Sequence, residues 1–345
     1  MSTPASRIPT GCRSRCLKRP ILPQNEMTAL PNPDLIYDLF GGIFKPQFIR
    51  TALQLDVFTP LAENPSTAEQ IAQACGCDTT GMKILLDYFC ALQLLTFKDN
   101  RYSLALDAAT FLVRGRKAYA GDMILDYTDP ALYASIAQSI RSGQPKWLNE
   151  NFAQDAWLES YSQTRIPKSL EMWQAAGVST DKPLHLLDLA CGCAIKSFAL
   201  AQASPNVRVT CLDSADVLDV ARDLAARMGL TSRATFLPAD ILTADLGASL
   251  FDLALVGQIT HYLTPDQNRA LFRRIHAALT EGGTLIIDCP MSKETPTETS
   301  AFLSLFLWAN SGGTAHSFET YRGWLNETGF PSVSQLSERW LAARK

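Results

Sequence analysis

The sequence predicts a mixed α/β protein, in which a doubly wound, mostly parallel β-sheet follows an N-terminal helical domain. Three observations support this prediction. The stretch 183–203 reads as a short apolar strand, a turn of small residues and a helix. Strand-like and helix-like segments then alternate to the end of the chain. Residues 33–112, in contrast, show apolar residues at helical spacing and one short hairpin.

Length, charge and cysteine usage limit the classes of protein to consider. The chain has 345 residues, which suits two domains, and its net charge is only −3. No charged field therefore points to nucleic acid or to an anionic membrane surface. No apolar run reaches the roughly 18–20 residues of a membrane span. The nine cysteines, several of them in or beside predicted strands, lead us to expect reduced thiols in a cytoplasmic protein.

The first 26 residues differ in composition from the rest of the chain. They are basic, carry no acid before Glu26 and lack hydrophobic periodicity. A transit peptide is one interpretation, because such segments are basic and poor in acids. We favour a disordered tail or an upstream start codon, with Met27 as the natural beginning. Cys12 and Cys16 have no second pair of ligands nearby, so we predict no metal site.

Residues 27–118 show a winged-helix pattern. A capping-box sequence precedes the helix 70–75, and a turn leads to a second helix, 80–95. Two short strands then flank Asp99 and Asn100, a pair typical of tight turns. DNA binding is the obvious interpretation, but it requires clustered basic residues, and the few in this region are mixed with acids. We therefore predict a dimerisation domain and a homodimer.

Residues 119–182 are predicted to form a helical linker that is rich in aromatic side chains. At helical spacing, such side chains belong more often to a core than to a ligand-binding wall. The linker lies between the N-terminal domain and the sheet, so some of its aromatic residues are also candidates to roof a substrate pocket.

The C-terminal domain, 183–345, is predicted from its alternating pattern. Strands separated by helices of about 10–15 residues imply a parallel sheet. Its ligand crevice then lies at the carboxyl ends of the strands. We predict strands at 183–189, 207–213, 234–237, 251–256, 284–289 and 332–336, and helices at 194–203, 215–229, 265–279 and 317–328.

The turn after the first strand distinguishes two classes of nucleotide ligand. A dinucleotide site requires a small third residue, where the helix packs closely on the strand, but Ile195 is bulky and β-branched. Asp188 would also place a carboxylate beside a pyrophosphate. Both objections vanish for S-adenosylmethionine (SAM), which carries an ammonium and a sulfonium and no phosphate. Small residues stand at the alternate positions Ala190, Gly192 and Ala194.

Acidic residues lie at the carboxyl ends of three successive strands. Asp188 ends the first, Asp213 the second, and Asp240 follows the third. The carboxylate of Asp213 can accept hydrogen bonds from both ribose hydroxyls, and Asp240 can meet the adenine edge. Each also has a plainer interpretation, Asp213 as a helix N-cap and Asp240 as a solvated turn residue. Taken together, the three acids favour a SAM site.

With these motifs, the chain from about residue 33 resembles the class I SAM-dependent O-methyltransferases that act on small molecules. That family combines an N-terminal winged-helix dimerisation domain with a Rossmann-like catalytic domain. The matching segments are LDLACGCA at 187–194, CLDSADVLDVAR at 211–222, PADIL at 238–242, HYLTPDQNRALFRRIHAALTEGGTLII at 261–287 and NSGGTAHSFETYRGWLNETGF at 310–330.

The resemblance implies roles for individual residues. His261 would be the catalytic base and Asn310 would face the substrate. The cofactor site would be lined by Ala190, Asp213, Asp240, Ile241 and Gly257.

The chain departs from the family at several of these positions. The family usually has glycine at positions 190 and 194, and often a lysine or similar polar group at 257. Acids that position the family's base are missing or displaced. Where they would stand, this chain has Cys289, with Asp288 beside it, and Ala315.

Methyl transfer from a sulfonium requires an acceptor held in line and the removal of its proton. A neutral imidazole can take that proton, and His261 follows the fourth strand at the edge of the crevice. We therefore predict a SAM-dependent methyltransferase that acts on a hydroxyl of an aromatic or polyketide-like molecule. The alternatives are C- or N-methylation on the same scaffold and a SAM-binding protein with divergent chemistry. A nicotinamide dehydrogenase is disfavoured by Ile195 and Asp188.

Overall fold

The computed structural model describes residues 33–116, 118–134, 136–145, 154–293 and 297–345, without the side chains of 154–164, 299 and 310. The predicted extension 1–26 lies outside these residues. The chain divides into two units, Met1–Lys45 and Pro46–Lys345. The domain boundaries expected at 118 and 182 stay predictions. Across the described residues, no helix combines the length and apolarity that a membrane crossing demands.

The helix–turn–helix and hairpin expected near the N-terminus are present. The helices α1 (Asp34–Gly41) and α2 (Phe44–Gln54) precede α3 (Ala68–Ala74), α4 (Thr79–Ala91), β1 (Leu95–Lys98) and β2 (Arg101–Leu104). Thr67 and Gln70 form the predicted capping box at the start of α3. Asp99 and Asn100 have positive φ angles of 51° and 59°. This left-handed turn matches the twist of the antiparallel pair β1–β2.

Helices α2, α3 and α4 and the hairpin surround a hydrophobic core of their own. Phe58, Phe89 and Tyr102 are its largest buried side chains. The hydroxyl of Tyr102 donates a hydrogen bond to Asp87 at 2.6 Å, so its polar end is satisfied. The helices described between this hairpin and the sheet are α5 (Leu106–Phe111), α6 (Gly121–Tyr127), α7 (Pro130–Ala134), α8 (Ile136–Ser142) and α9 (Gln154–Ala175).

The C-terminal region forms a seven-stranded sheet in the order β5-β4-β3-β6-β7-β9-β8. Neighbouring strands are parallel except where β9 pairs with β7 and β8. The strands are β3 (Leu184–Leu189), β4 (Val207–Asp213), β5 (Ala234–Pro238), β6 (Phe251–Gly257), β7 (Leu279–Asp288), β8 (Ser332–Gln335) and β9 (Trp340–Arg344). The helices are α10 (Ile195–Ala203), α11 (Ala215–Arg227), α12 (Pro265–Ala278), α13 (Glu298–Ser311) and α14 (Phe318–Glu327).

Helices cover both faces of this sheet, which confirms the doubly wound prediction. On one face, α10 and α11 pack with the end of α9 around Trp173 and Phe198. On the other face, α12 and α14 pack around Phe272 and Tyr321. Alternate residues of a strand serve the two cores: Leu186 belongs to the first and Leu187 to the second. The sheet is thereby fixed from both sides, and its strand ends are held in register.

Candidate active site

A cavity of about 400 Å³ opens at the carboxyl ends of β3, β4 and β6. The chain runs from β3 outward to β4 on one side and returns to β6 on the other, so this is the point where the strand order reverses. Ligands of doubly wound sheets bind at such a point. Six of the residues predicted from sequence line the cavity: Asp188, Ala190, Gly192, Asp213, Gly257 and His261.

Two other predicted site residues, Asp240 and Ile241, are not among the described residues that line the cavity. Asp240 is exposed and accepts a hydrogen bond from the backbone N–H of Leu242 at 2.7 Å. This contact agrees with the plainer interpretation of Asp240 as a solvated turn residue. Ile241 packs against the core of the α12 face. Their expected contact with adenine stays a prediction. Asn310 lies near the end of α13, and its side chain is outside the described part of the chain.

Alternate residues of the loop between β3 and α10 have a left-handed backbone conformation. Ala190, Gly192 and Ala194 have φ angles of 51°, 56° and 57°. A side chain in this conformation costs about 1–2 kcal/mol, so glycine is the residue that it favours. This preference accounts for the glycines that the family resemblance implies at positions 190 and 194. Alanine adopts the same shape here at the expense of some stability.

Asp213 ties this loop to the neighbouring strand. One carboxylate oxygen accepts a hydrogen bond from the backbone N–H of Gly192 at 2.9 Å, and the other accepts one from Ser214 at 2.8 Å. Burial raises the pKa of Asp213, whereas these two hydrogen bonds lower it. The carboxylate is half-buried at the cavity wall, where its remaining lone pairs can accept ligand hydroxyls.

Asp188 adds a second carboxylate to the lining of the cavity. Only 3% of the residue is exposed, and it accepts a hydrogen bond from the hydroxyl of Ser197 at 2.6 Å. Burial raises its pKa to about 7, against the opposing effects of Ser197 and of the Lys196 ammonium. Because burial makes this carboxylate costly to ionise, a cationic ligand that binds beside it would stabilise its charged form.

Replacing Asp188 by asparagine is expected to stabilise the ligand-free protein at alkaline pH. Folding raises the pKa of this acid from 3.8 to about 7. The wild type therefore loses stability as the pH rises between these values, and the loss is complete above the higher one. The asparagine side chain carries no charge at any pH, so the Tm of the variant should exceed that of the wild type by about 5 °C at pH 8. The difference should shrink towards pH 5. Melting curves at both pH values check this, and a pH-independent difference would contradict it.

His261 lies in a short 3₁₀ turn, Thr260–Tyr262, directly after β6. It is 4% exposed, and its backbone carbonyl accepts a hydrogen bond from Thr314 at 2.9 Å. Burial lowers the pKa of His261 to about 4, and electrostatic interactions with His316 and Arg339 act in the same direction. The imidazole is consequently neutral near pH 7 and has an unprotonated nitrogen to offer.

A thiol stands where a carboxylate would orient this histidine. Nδ1 of His261 lies 3.0 Å from Sγ of Cys289. Burial raises the pKa of Cys289, so the thiol is uncharged. Asp288 precedes it in the chain and projects away from the histidine, because successive residues of an extended strand alternate sides. Asp288 pairs instead with Lys196 at 2.8 Å and Arg339 at 3.5 Å.

Aromatic residues form the wall of the cavity on the helical side. Phe306 stacks with Tyr127 at a centroid distance of 6.1 Å and with Phe302 at 5.8 Å. Tyr262 packs against the ring of His261 at 4.2 Å. Tyr127 belongs to the linker, so one aromatic residue of that segment does reach the pocket. Flat apolar walls of this kind suit a planar, apolar guest.

Sequence reasoning missed Lys196 and the aromatic wall on α13, whereas the family resemblance had placed Cys289 where an acid would position the base. The strand-end rule that selected Asp188 and Asp213 also applies to Asp288, and through it to its partner Lys196. Lys196 is the only charged residue of α10, which was a second signal. The residue pattern alone does not show that Cys289 faces His261, because the contact joins two separate strand ends, and only the resemblance pointed to it.

The polar residues of the cavity fit SAM better than a phosphate-bearing cofactor. Two carboxylates, Asp188 and Asp213, face a ligand that has two cationic centres and two ribose hydroxyls.

Comparison with known proteins agrees with this fit. The family description "Methyltransferase domain" matches residues 186–283, and "O-methyltransferase dimerisation domain" matches residues 37–114. A 3-hydroxy-5-methyl-1-naphthoate 3-O-methyltransferase of Streptomyces sahachiroi is 27% identical over 87% of this chain and 90% of its own length. An L-tyrosine C(3)-methyltransferase of Streptomyces lavendulae is 28% identical over 86% of each.

The fold is shared with solved structures as well. Human N-acetylserotonin methyltransferase, solved in complex with SAM, superimposes with a TM-score of 0.77 over 94% of this chain and 99% of that protein, at 18% identity. Both domain matches fall on the segments described above, the dimerisation domain on the helices and hairpin and the methyltransferase domain on β3 to β7. This chain belongs to the SAM-dependent O-methyltransferase family, with an N-terminal dimerisation domain.

Proposed function

We propose that this enzyme transfers the methyl group of SAM to a hydroxyl of a small aromatic or polyketide-like molecule. One observation carries the proposal. A single cavity combines a carboxylate-lined floor, an aromatic wall and the neutral imidazole of His261. The floor suits the cofactor, the wall suits a flat acceptor, and the imidazole suits the proton that the acceptor must lose.

The residues have distinct roles in this proposal. Bound SAM supplies an electrophilic methyl group on its sulfonium. Asp213 accepts hydrogen bonds from the ribose hydroxyls, and Asp188 offsets the positive charge of the methionine ammonium. Because Nδ1 of His261 faces Cys289, we assign proton transfer to Nε2. Nε2 of His261 would take the proton that the acceptor hydroxyl loses when it is methylated.

We propose that the methyl acceptor is a planar aromatic molecule with a ring hydroxyl. The naphthoate O-methyltransferase, which is similar over nearly the whole chain, is named for a planar aromatic substrate with a ring hydroxyl. A stacked wall of Tyr127, Phe302 and Phe306 is compatible with such a ring. We propose that Asn310 contacts its polar edge.

C- or N-methylation is the second candidate function. It is favoured by the similarity to a tyrosine C-methyltransferase and by the weak basicity of His261. Both alternatives use the same cofactor site and differ in the atom that is presented to the methyl group. A SAM-binding protein of divergent chemistry would keep only the cofactor half of the cavity.

We also propose that the protein forms a homodimer through residues 27–118 and that it is located in the cytoplasm. Helix α1 has no buried residue, and Leu35, Ile36, Leu39 and Phe40 are each exposed by more than 60%. A second copy would cover such an apolar face. Buried thiols such as Cys193 and Cys211 suit a reducing compartment.

A product assay tests the proposed function. The protein is incubated with SAM and a panel of hydroxynaphthoic acids, hydroxyanthraquinones and matching amines. S-adenosylhomocysteine (SAH) is quantified, and the product is identified by mass spectrometry and NMR. We expect O-methylated products from ring hydroxyls. Exclusive ring-carbon or amine methylation would establish the second candidate, and SAH binding without transfer across the panel would favour divergent chemistry.

A further inference from the structure

We infer that Lys196 binds the carboxylate of the cofactor's methionine end, so that Lys196 and Asp188 together recognise an amino-acid zwitterion. This inference rests on the proposed cofactor site and adds a residue to it. Lys196 is the second residue of α10 and lines the cavity, with 18% of its side chain exposed. Among the described lining residues it is the only lysine or arginine.

The position of the ammonium is fixed by its surroundings. Nζ lies 2.8 Å from the carboxylate of Asp288, which is itself 4% exposed. A Cβ atom built on Gly257 would lie 2.8 Å from the same Nζ. The side chain of Lys196 therefore extends from α10 past Gly257, at the end of β6, to Asp288, at the end of β7. The absence of a side chain at Gly257 leaves the space that this crossing requires.

The charge balance leaves Lys196 able to bind a second anion. Asp288 has two cationic partners, because Arg339 approaches its other oxygen at 3.5 Å. Together with Asp188, whose carboxylate also interacts with the Lys196 ammonium, the two cations and two carboxylates balance, and a zwitterion adds one charge of each sign. When Lys196 turns part of its hydrogen-bonding capacity to a ligand, Asp288 keeps the guanidinium as a counter-charge. An ammonium has three donors, so one donor can serve each carboxylate.

The spacing of opposite charges matches an amino-acid zwitterion. Asp188 lies near the end of β3, and the ammonium of Lys196 lies over the end of the neighbouring strand β6. Adjacent strands are about 4.8 Å apart. A ligand whose ammonium and carboxylate sit on the same carbon can thus meet Asp188 with one group and Lys196 with the other. Both contacts are made only by a ligand that has an amino-acid end, so they would favour SAM over a nucleoside without one.

Calorimetric titration with two ligands separates this role from a general one. SAH carries the amino-acid end, whereas 5′-methylthioadenosine has the same nucleoside and sulfur without it. In Lys196→Met we expect the affinity for SAH to fall about 10- to 100-fold. The affinity for methylthioadenosine should change less than about threefold, on the same scale. Lys196→Arg, which keeps the charge, should recover most of the affinity for SAH.

Two further variants control for folding and for charge. Lys196→Met combined with Asp288→Asn removes both members of the ion pair, so no uncompensated charge stays buried, and it should show the same ligand selectivity. Lys83→Met removes an exposed lysine that pairs with Asp87 and should affect neither ligand. Equal losses for both ligands would overturn the inference and leave the proposed function intact. Failure of the wild type to bind either ligand would overturn the cofactor site as well.

Discussion

Replacing His261 by asparagine is expected to lower kcat for methyl transfer to a hydroxyl by about 10²–10⁴-fold, the usual contribution of a general base. Asparagine can keep a hydrogen bond to Cys289, but it cannot take the acceptor's proton. The loss should fall on kcat, because proton transfer occurs in the transition state and not in the bound ground state. The affinity for SAH, measured by calorimetry, should stay within about threefold of the wild type.

A histidine outside the cavity provides the control. His276 lies on α12 and packs edge-on against Phe330 at 5.0 Å. His276→Asn should leave kcat and the affinity for SAH unchanged. If His261→Asn retained full O-methylation activity, His261 would not be the base. The enzyme would then rely on positioning alone or on an acceptor that arrives ionised.

Replacing Asp213 by alanine is expected to weaken the binding of SAH by about 100-fold or more. A hydrogen bond to a charged group contributes about 1.5–3 kcal/mol, and the ribose offers two donors. The variant also removes the acceptor for the Gly192 N–H, so the loop that faces the ligand loses an anchor. Both effects lower affinity. Isothermal titration with SAH measures the change directly.

A nearby acid shows whether the loss is specific. Asp219 lies on the exposed side of α11 and pairs with Arg222 at 2.6 Å. Asp219→Ala removes one carboxylate from the neighbourhood of β4 and should leave the affinity for SAH unchanged. Equal affinities of Asp213→Ala and the wild type would show that the ribose binds elsewhere, and the assignment of the crevice would fail.

The sheet could be predicted from the sequence because its periodicity is strong. Apolar runs of strand length, such as VRVTCLD, alternate with amphipathic helices, and this pattern places β4 at the residues where the structure has it. The hairpin β1–β2 was equally clear, since Asp99 and Asn100 adopt the left-handed conformation that its turn requires. Local chemistry determines these elements, so local sequence reveals them.

Two elements were missed for physical reasons. Strand β9, WLAAR, contains two alanines, which have low strand propensity, and it exists through its antiparallel pairing with β7 and β8. The segment predicted only as an insertion near 297–310 forms α13, which begins with a capping box at Thr297. β7 also starts earlier than predicted, at Leu279, because that residue pairs with Phe251 across a bulge. Tertiary pairing determines such boundaries.

The cofactor side of the candidate site was easier to predict than the catalytic side. Parallel strand ends meet at one edge of a sheet, so the sequence pattern was enough to group Asp188 with Asp213, and the family resemblance added Gly257. Asp240 also lies at a strand end, but its carboxylate accepts a hydrogen bond from the nearby backbone N–H of Leu242. Its position after the strand does not reveal this contact. The contact between His261 and Cys289 depends on how two separate strand ends face each other. The same is true of the crossing of Lys196 to the end of β7.

A crystal structure with bound SAH tests the central claim most directly. The account predicts the nucleoside in the cavity at the ends of β3, β4 and β6. It predicts the ribose hydroxyls on Asp213 and the sulfur directed towards the space between His261 and the aromatic wall of Tyr127, Phe302 and Phe306. SAH bound elsewhere, or bound here with its sulfur directed away from His261, would contradict the assignment of this cavity as the site of methyl transfer.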